Sequence, residues 1–262
     1  MDNGANGKVS KLSDCYRKTQ KPENFFCFSV FDVYICSGKK VEKHMTQREK
    51  IVEHVSQMLS SLGIKSVRMD DVANSLGMSK RTLYEMFGDK EELLYESMMY
   101  RVDKFHREAA ERTAGCRNML EVLLLSVRGL NGTDTWHETE KRLMTNLKKF
   151  YPHVFDKVQR DHAERGMIAL QSALDRCRAD GYLDPNADIE LLTRLFFMTM
   201  STIMCGDGIV LPEGVTREAA CSLLIVNFLR GLSSVKGMQV IDEILAREKE
   251  PAQGGGYTED GK

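Results

Sequence analysis

Two short amphipathic segments meet at a tight corner between residues 67 and 87, and this corner constrains the fold more than any other stretch. The first segment has apolar residues at spacings of three and four, which places them on one helical face. These residues are Met69, Val72, Ala73 and Leu76. Gly77 follows at the position where a helix often ends in a left-handed residue. The small Ala73, the turning Gly77 and the apolar Leu83 meet the packing needs of a helix-turn-helix.

The second segment of the corner leaves a polar face toward solvent. Ser79 is a suitable N-cap, because its hydroxyl can accept a hydrogen bond from a free N–H group of the first turn. Leu83, Met86 and Phe87 form the apolar face. By elimination, the solvent face carries Lys80, Arg81, Thr82, Tyr84 and Glu85. A helix N-terminus beside two cations suits phosphate oxygens, and a long cation there can reach a base edge in the major groove. A helical hairpin with a solvated charged face is the alternative.

The run KRTLYEMFGDKEELL, from Lys80 to Leu94, resembles the recognition helix and following segment of the TetR (tetracycline-repressor) family. The resemblance is close over residues 51–94 and extends to the remaining chain only as a helical pattern. The positions that carry it are Ser79, Lys80, Thr82, Leu83, Tyr84, Phe87, Lys90, Glu91, Glu92 and Leu93. Two positions differ from the family: Arg68 stands where a Thr usually caps the first helix of the pair, and Arg81 replaces a small residue.

The resemblance implies an all-α homodimeric transcription factor. A three-helix helix-turn-helix domain would occupy residues 45–94, and a helical ligand-binding and dimerisation domain residues 95–250. The protein would be a repressor that a small-molecule effector releases from a double-stranded DNA operator, without a cofactor. Arg81 is expected to contact a base, and Lys80, Thr82, Tyr84 and Lys90 are expected to hold phosphates. The full set of expected DNA-binding residues is Arg68, Ser79, Lys80, Arg81, Thr82, Tyr84 and Lys90.

Composition bounds the class of protein but does not itself indicate DNA. The 262 residues are 42% hydrophobic, which is ample for a core, and their net charge of −1 gives no bulk attraction to nucleic acid. Seven cysteines without a CxxC pair favour reduced thiols in a cytoplasm. The case for DNA therefore depends on a local group of cations, namely Lys65, Arg68, Lys80, Arg81 and Lys90.

Helix boundaries around the corner can be predicted from capping signals. Thr46 and Glu49 have the spacing of a capping box, so an amphipathic helix should begin there and end at Gly63. Asp89 and Glu92 have the same spacing, which predicts a second box and a long helix to about residue 114. By resemblance, this long helix connects the DNA-binding domain to the regulatory domain.

The two ends of the chain differ from the rest. The apolar run from Phe25 to Cys36 is too short to span a bilayer and contains Asp32. We expect translation to begin at Met45, because the family-like architecture starts immediately after it; a short strand or a poorly ordered tail over residues 1–44 is the alternative. Residues 251–262 are Gly-rich and charged, so a disordered tail is expected there.

From residue 117 onward the pattern is helical. Helices are expected over residues 117–130, 136–150 and 152–180, with a loop at 131–134. Two late segments, Ile189–Cys205 and Glu218–Leu232, are apolar nearly all round, so each should face the core on one side and a partner subunit on the other. Membrane insertion is the competing interpretation, but both segments are short and charged residues interrupt them.

No catalytic or metal-binding motif is present in the sequence. Walker-type, GxGxxG, HExxH and GxSxG patterns are absent, and His153 and His162 lie nine residues apart rather than one helical turn. Cys177, Cys205 and Cys221 fall on apolar stripes, so they are expected to be core residues. An enzyme is therefore not expected, although a helical enzyme or dimerisation module with an incidental hairpin stays open, as does an activator.

A small-molecule pocket between helices is a further expectation for the C-terminal domain. Such pockets are mostly apolar with few polar anchors, and this part of the chain supplies aromatic and flexible apolar groups. The residues expected to line it are Trp136, Phe150, Phe155, Met167, Phe196, Met200 and Met204. Plain core packing is the alternative for each of them.

Overall fold

The computed structural model describes residues 45–126, 135–205 and 210–247. Within them the chain forms ten α-helices, and its only β-type pairing is an isolated bridge between Leu183 and Ser233. The helices are α1 (Gln47–Leu62), α2 (Met69–Ser75), α3 (Lys80–Phe87), α4 (Lys90–Arg112), α5 (Met119–Ser126), α6 (Thr135–Phe150), α7 (Pro152–Ala179), α8 (Ile189–Cys205), α9 (Arg217–Leu232) and α10 (Val235–Arg247). The predicted all-α fold is therefore confirmed. The expectations for residues 1–44, 131–134 and 251–262 lie outside the described ranges.

The capping prediction for α1 is confirmed, and the one for α4 is half right. The Thr46 hydroxyl accepts from the N–H of Glu49 at 3.2 Å, and the Glu49 carboxylate accepts from the N–H of Thr46 at 2.8 Å. At α4, Asp89 Oδ1 accepts from the N–H of Glu92 at 2.8 Å. The N–H of Asp89 donates instead to the Phe87 carbonyl oxygen at 2.8 Å, and the Glu92 carboxylate lies 3.3 Å from the Lys157 ammonium on α7.

The C-terminal helices follow the predicted order with one addition. Helix α5 is described only over Met119–Ser126, since residues 127–134 lie outside the described ranges. Helix α7 begins with Pro152 at its first position, as expected for a residue without an N–H group. Helix α10 was not predicted as a separate element. No helix in the described ranges has the length and apolarity needed to cross a bilayer.

Buried apolar side chains form two hydrophobic clusters. The first cluster joins α1 to α4 with α6 and the amino end of α7, and it includes Leu83, Leu147 and Val158. The second cluster joins α5, the rest of α7 and α8 to α10, and it includes Leu170 and Ile225. Helix α7 belongs to both clusters, so it links the helix-turn-helix end of the molecule to the C-terminal helices.

Polar side chains of α4, α6 and α7 lie near the boundary between the two hydrophobic clusters. His106 of α4 and His162 of α7 are buried, and their rings stack with centroids 5.6 Å apart and planes 10° apart. One turn away on α4, Arg101 donates to the buried Glu140 of α6 at 2.7 Å and to the Ser56 carbonyl oxygen of α1 at 2.8 Å. Since a buried charge is stable only when it is paired, this contact sets the relative position of three helices.

Candidate nucleic-acid interface

The turn between α2 and α3 has the hydrogen bonds of a Schellman motif. Gly77 adopts a φ of 63°, which only glycine takes without steric cost. Its N–H donates to the Asn74 carbonyl oxygen at 3.2 Å, and the N–H of Met78 donates to the Ala73 carbonyl oxygen at 3.0 Å. The motif uses the last carbonyl groups of α2 and thereby fixes the angle at which α3 leaves the turn.

Ser79 caps the amino end of α3, as predicted. Its Oγ accepts from the N–H of Thr82 at 3.0 Å and lies 2.8 Å from the Thr82 hydroxyl. The first N–H groups of a helix have no intrahelical partner. Those of Lys80 and Arg81 are therefore left available at the exposed end of α3, where the helix dipole favours an anion.

Helix α3 has one buried face and one solvent face. Leu83 is completely buried, and Phe87 is buried beside it. The exposed side chains are Lys80, Arg81, Tyr84 and Glu85. This is the solvent face predicted by elimination, except that Thr82 is half-buried because its hydroxyl lies against Ser79.

Both cations at the start of α3 are paired with carboxylates on the same surface. The Lys80 ammonium lies 2.8 Å from Asp70 of α2, and this hydrogen bond raises the pKa of Lys80. Arg81 Nε lies 2.8 Å from the Glu85 carboxylate one turn along, although the Arg81 side chain is still 88% exposed. Exposed ion pairs of this kind contribute little to stability, so a phosphate oxygen can replace either carboxylate at little cost. The spacing of Arg81 and Glu85 is that of neighbours on one helical face, whereas no local spacing indicates the pair of Lys80 with Asp70.

The other three cations grouped in the sequence differ in their contacts. Arg68 precedes α2 and is exposed, and it forms no ion pair among the described residues. The Lys65 ammonium lies 5.5 Å from the ring centroid of Phe150, and the Lys90 ammonium lies 5.3 Å from that of Tyr151. Cation–π contacts keep the charge while positioning the side chain. Both lysines are therefore associated with the corner between α6 and α7.

Arg48 of α1 attaches α3 to its neighbours, and sequence reasoning did not identify it. Its guanidinium lies 4.3 Å from the ring centroid of Phe87 and donates to the carbonyl oxygen of Met86 at the end of α3. It also donates through Nε to the Glu96 carboxylate of α4 at 2.9 Å, and this bond raises the pKa of Arg48. One half-buried side chain thus holds α1, α3 and α4 together.

Polar contacts join α4 to α7 along the length that both helices share. The Lys157 ammonium of α7 lies 3.6 Å from the ring centroid of Tyr95 and forms an ion pair with the Glu92 carboxylate, also on α4. The Tyr95 hydroxyl donates to Asp161 at 2.6 Å, and burial together with this bond raises the pKa of Tyr95 to about 12. Arg165 and Asp103 form a further ion pair at 3.3 Å. These contacts couple the position of α4, and so of α3, to α7.

Three of the seven residues expected to line a pocket share the second hydrophobic cluster. They are Met167, Phe196 and Met200. Phe155 packs in the first cluster, and Phe150 is exposed at the end of α6. The side chains of Trp136 and Met204 lie outside the described part of the chain. The structure therefore separates Phe150 and Phe155 from the first three, and ligand contact by any of the seven stays a prediction.

The described histidines, cysteines and carboxylates do not converge on a metal site. Across the described ranges, no group of three or more of these residues is close enough together to hold an ion. Cys177 and Cys221 are completely buried in the second cluster, which confirms their expected place in the core. The side chain of Cys205 lies outside the described residues.

The chain matches one family model over part of its length and resembles solved structures in its fold. Residues 52–96, which contain most of α1, all of α2 and α3 and the start of α4, match the family model of bacterial regulatory proteins of the tetR family. A TetR-family transcriptional regulator from Mesorhizobium loti has a similar fold, with 18% identity, coverage of 72% of this chain and 100% of that chain, and a TM-score of 0.50. A TetR-family regulator from Rhodococcus sp. gives 21% identity, coverage of 71% and 98%, and a TM-score of 0.45. No curated protein matches the chain by sequence.

Proposed function

We propose that the chain, a TetR-type DNA-binding transcriptional regulator, acts in the cytoplasm as a homodimeric repressor that a small-molecule effector releases from its operator. The observation that carries this proposal is the exposed amino end of α3, where Ser79 caps the helix and Arg81 projects into solvent. A helix end of this kind enters the major groove in helix-turn-helix proteins.

The proposed DNA contacts follow from the surface of α3. Arg81 has the longest cationic side chain on the exposed face. When its ion pair with Glu85 breaks, the guanidinium reaches a base edge in the major groove. Backbone N–H groups at the helix start hold a phosphate. The phosphate contacts are completed by Arg68, Ser79, Lys80, Thr82, Tyr84 and Lys90.

A homodimer is supported by an apolar stripe on α8 and α9. Four large apolar side chains on these packed helices are between 47% and 64% exposed. They are Leu191, Leu195, Met198 and Leu223. A row of this size on two neighbouring helices suits a two-fold partner that presents the same row. Pairing places two copies of α3 on one duplex, with half-sites about one helical turn or more apart.

Release by an effector is supported by the contacts between α4 and α7. A ligand that shifts α7 changes α4 through the bond of Tyr95 to Asp161 and the pair of Glu92 with Lys157. Because α3 packs on α4, such a shift alters the distance between the two recognition helices of the dimer. Linkage then requires that operator DNA weakens effector binding by the same factor.

Selection of bound fragments from the genome of the natural host, with the purified full chain, tests the proposal most directly. We expect enrichment of a near-palindromic sequence, and we expect Arg81→Ala to lose part of that sequence preference. Arg178→Ala is a matched control, because Arg178 lies at the far end of α7 in an ion pair with Asp175. If no sequence is enriched, or if the enriched sites lack two-fold symmetry, the proposal fails.

Repression is separated from activation by a reporter placed behind the selected operator. Deletion of the gene for this chain should raise reporter output if it represses transcription. A fall in output would establish an activator that uses the same DNA-binding surface.

A further inference from the structure

A cavity of about 460 Å³ lies where the amino ends of α5 and α10 meet the carboxyl end of α7. This volume is within the usual range for small-molecule sites, which is about 300–1,000 Å³. Three cations line it, Arg117, Arg176 and Lys236, against one carboxylate, that of Asp180. None of the expected DNA-binding residues takes part.

The two guanidinium groups at this cavity have no carboxylate partner among the described residues. Arg178, two residues beyond Arg176 on α7, instead pairs with Asp175 at 2.7 Å. Lys236 is held by uncharged groups: its ammonium donates to the Asp180 carbonyl oxygen at 2.8 Å and lies 4.4 Å from the Tyr182 ring centroid. The lining therefore keeps a net positive charge, because three cations face the single carboxylate of Asp180.

The carboxyl end of α7 carries the negative end of its helix dipole, and its last carbonyl groups accept hydrogen bonds from the protein. The N–H of Tyr182 donates to the Cys177 carbonyl oxygen at 2.9 Å, and the N–H of Gly181 donates to that of Arg178 at 3.0 Å. The positive φ of 78° at Gly181 completes this second Schellman motif. On the facing side, α5 and α10 present their amino ends, which carry the positive end of the helix dipole.

Two other groups near the cavity add no free negative charge. Burial, and then the nearby Glu121, raise the pKa of the Cys116 thiol, so it is neutral at pH 7. The Glu121 carboxylate accepts from the N–H of Arg117 at 2.7 Å and lies 3.4 Å from the guanidinium of Arg247. Its charge is thereby compensated within the protein.

The backbone of the cavity wall formed by the loop after α7 and the start of α10 is held by hydrogen bonds and close packing. The N–H of Ser234 donates to the Tyr182 carbonyl oxygen at 2.9 Å, and its hydroxyl donates to that of Gly181 at 2.8 Å. Gly237 packs so closely that a Cβ there would lie 2.0 Å from the Tyr182 oxygen. This wall therefore needs little backbone rearrangement on binding, whereas the exposed Arg117 and Arg176 side chains lose rotamer freedom when they contact a ligand.

We infer that this cavity is a binding site for a small organic anion that carries at least two negative charges on phosphate or carboxylate groups. Guanidinium groups form two parallel hydrogen bonds with either group, so Arg117 and Arg176 supply orientation as well as charge. Lys236 supplies a third, compact charge. The inference goes beyond the proposed function, because it concerns a site remote in sequence from α3 that can be measured without DNA.

Isothermal titration calorimetry of the full chain at low ionic strength, with pyrophosphate and with citrate as separate probes, tests this inference. We expect at least one probe to bind with a Kd below about 1 mM, which corresponds to a modest binding free energy. Pyrophosphate represents phosphate ligands and citrate represents carboxylate ligands, so the tighter probe identifies the chemistry of the natural ligand. Added salt should weaken the binding, since the contacts are partly exposed.

Variants of the exposed arginines decide whether the probe occupies this cavity. Arg117→Ala combined with Arg176→Ala should weaken binding at least about tenfold, since each removes a charge-assisted hydrogen bond. Arg178→Ala, the neighbouring paired arginine, should leave affinity within about twofold, as expected for an exposed pair. Failure of both probes to bind, or equal affinity in the double variant, would overturn the inference.

Discussion

At the scale of single residues, Arg81 combines high exposure with a weak local partner, since Glu85 is its only ion-pair partner among the described residues. Arg81→Ala should weaken binding to the selected operator by about 1–3 kcal/mol, because a contact to a base edge is lost. The loss should be concentrated at one base pair of each half-site. Titration of the variant against operators with single base-pair changes measures this.

Glu85→Gln gives the opposite change at the same contact. Removing the carboxylate that competes with DNA for Arg81 should strengthen operator binding slightly, by up to about 1 kcal/mol, the range of an exposed ion pair.

For Arg81→Ala, an equal loss of affinity on every operator sequence would instead identify Arg81 as a phosphate contact.

Lys90 is predicted to hold a phosphate from the first turn of α4. Lys90→Ala should weaken binding uniformly across sequences and reduce the slope of log K against log salt by about 1, since one fewer counterion is released. Lys104→Ala, an exposed lysine farther along the same helix, should leave the slope unchanged. A slope that is the same in both variants would remove Lys90 from the interface.

Residue exposure at the site could be predicted from the sequence, but residue pairing could not. The spacing of Leu83 and Phe87 was sufficient to assign the solvent face of α3, because burial follows helical periodicity. The contact of Lys80 with Asp70 joins two helices across the turn, and Arg48 reaches Glu96 across 48 residues. Such pairs depend on how the helices pack, which periodicity does not determine.

At the scale of elements, Gly237 permits α10 to lie against the loop after α7. Gly237→Ala should lower the free energy of unfolding by about 2 kcal/mol, because overpacking against a backbone oxygen outweighs the higher helix propensity of alanine. Gly231→Ala on α9 is the matched control: a Cβ there meets nothing within 4 Å, so this change should be neutral or slightly stabilising. Urea denaturation compares the two, and equal stability would show that the loop yields without cost.

Most helices could be predicted because their ends carry local signals. Thr46, Ser79 and Asp89 act as N-caps, and Gly77 has the left-handed conformation of a helix end. Helix α10 has such signals as well: the Ser234 hydroxyl accepts from the N–H of Gly237 at 3.1 Å. Its amphipathic pattern, with Ile241 and Ile244 buried, is also typical of a helix. The close approach of α10 to the loop after α7 cannot be predicted from local signals, because that contact joins distant parts of the chain.

At the scale of the whole molecule, the exposed stripe of α8 and α9 predicts that association requires Leu195. Leu195→Asp should convert the proposed dimer to a monomer, because a charge buried at the interface without a partner is strongly unfavourable. The same replacement at Ile168, which is 59% exposed on α7 outside the stripe, should leave the dimer intact. Light scattering after gel filtration measures both masses. A Leu195→Asp protein that remains dimeric would place the subunit contact elsewhere.

Helix α7 contributes side chains to both hydrophobic clusters, with Val158 in the first and Leu170 in the second. Neither half of the chain can therefore lose its packing while the other keeps a complete interior. If heat or denaturant unfolds one end of α7, the hydrophobic cluster at the other end also loses packing contacts. We therefore expect the two clusters to unfold together, which thermal unfolding followed by circular dichroism and by calorimetry would show as one transition.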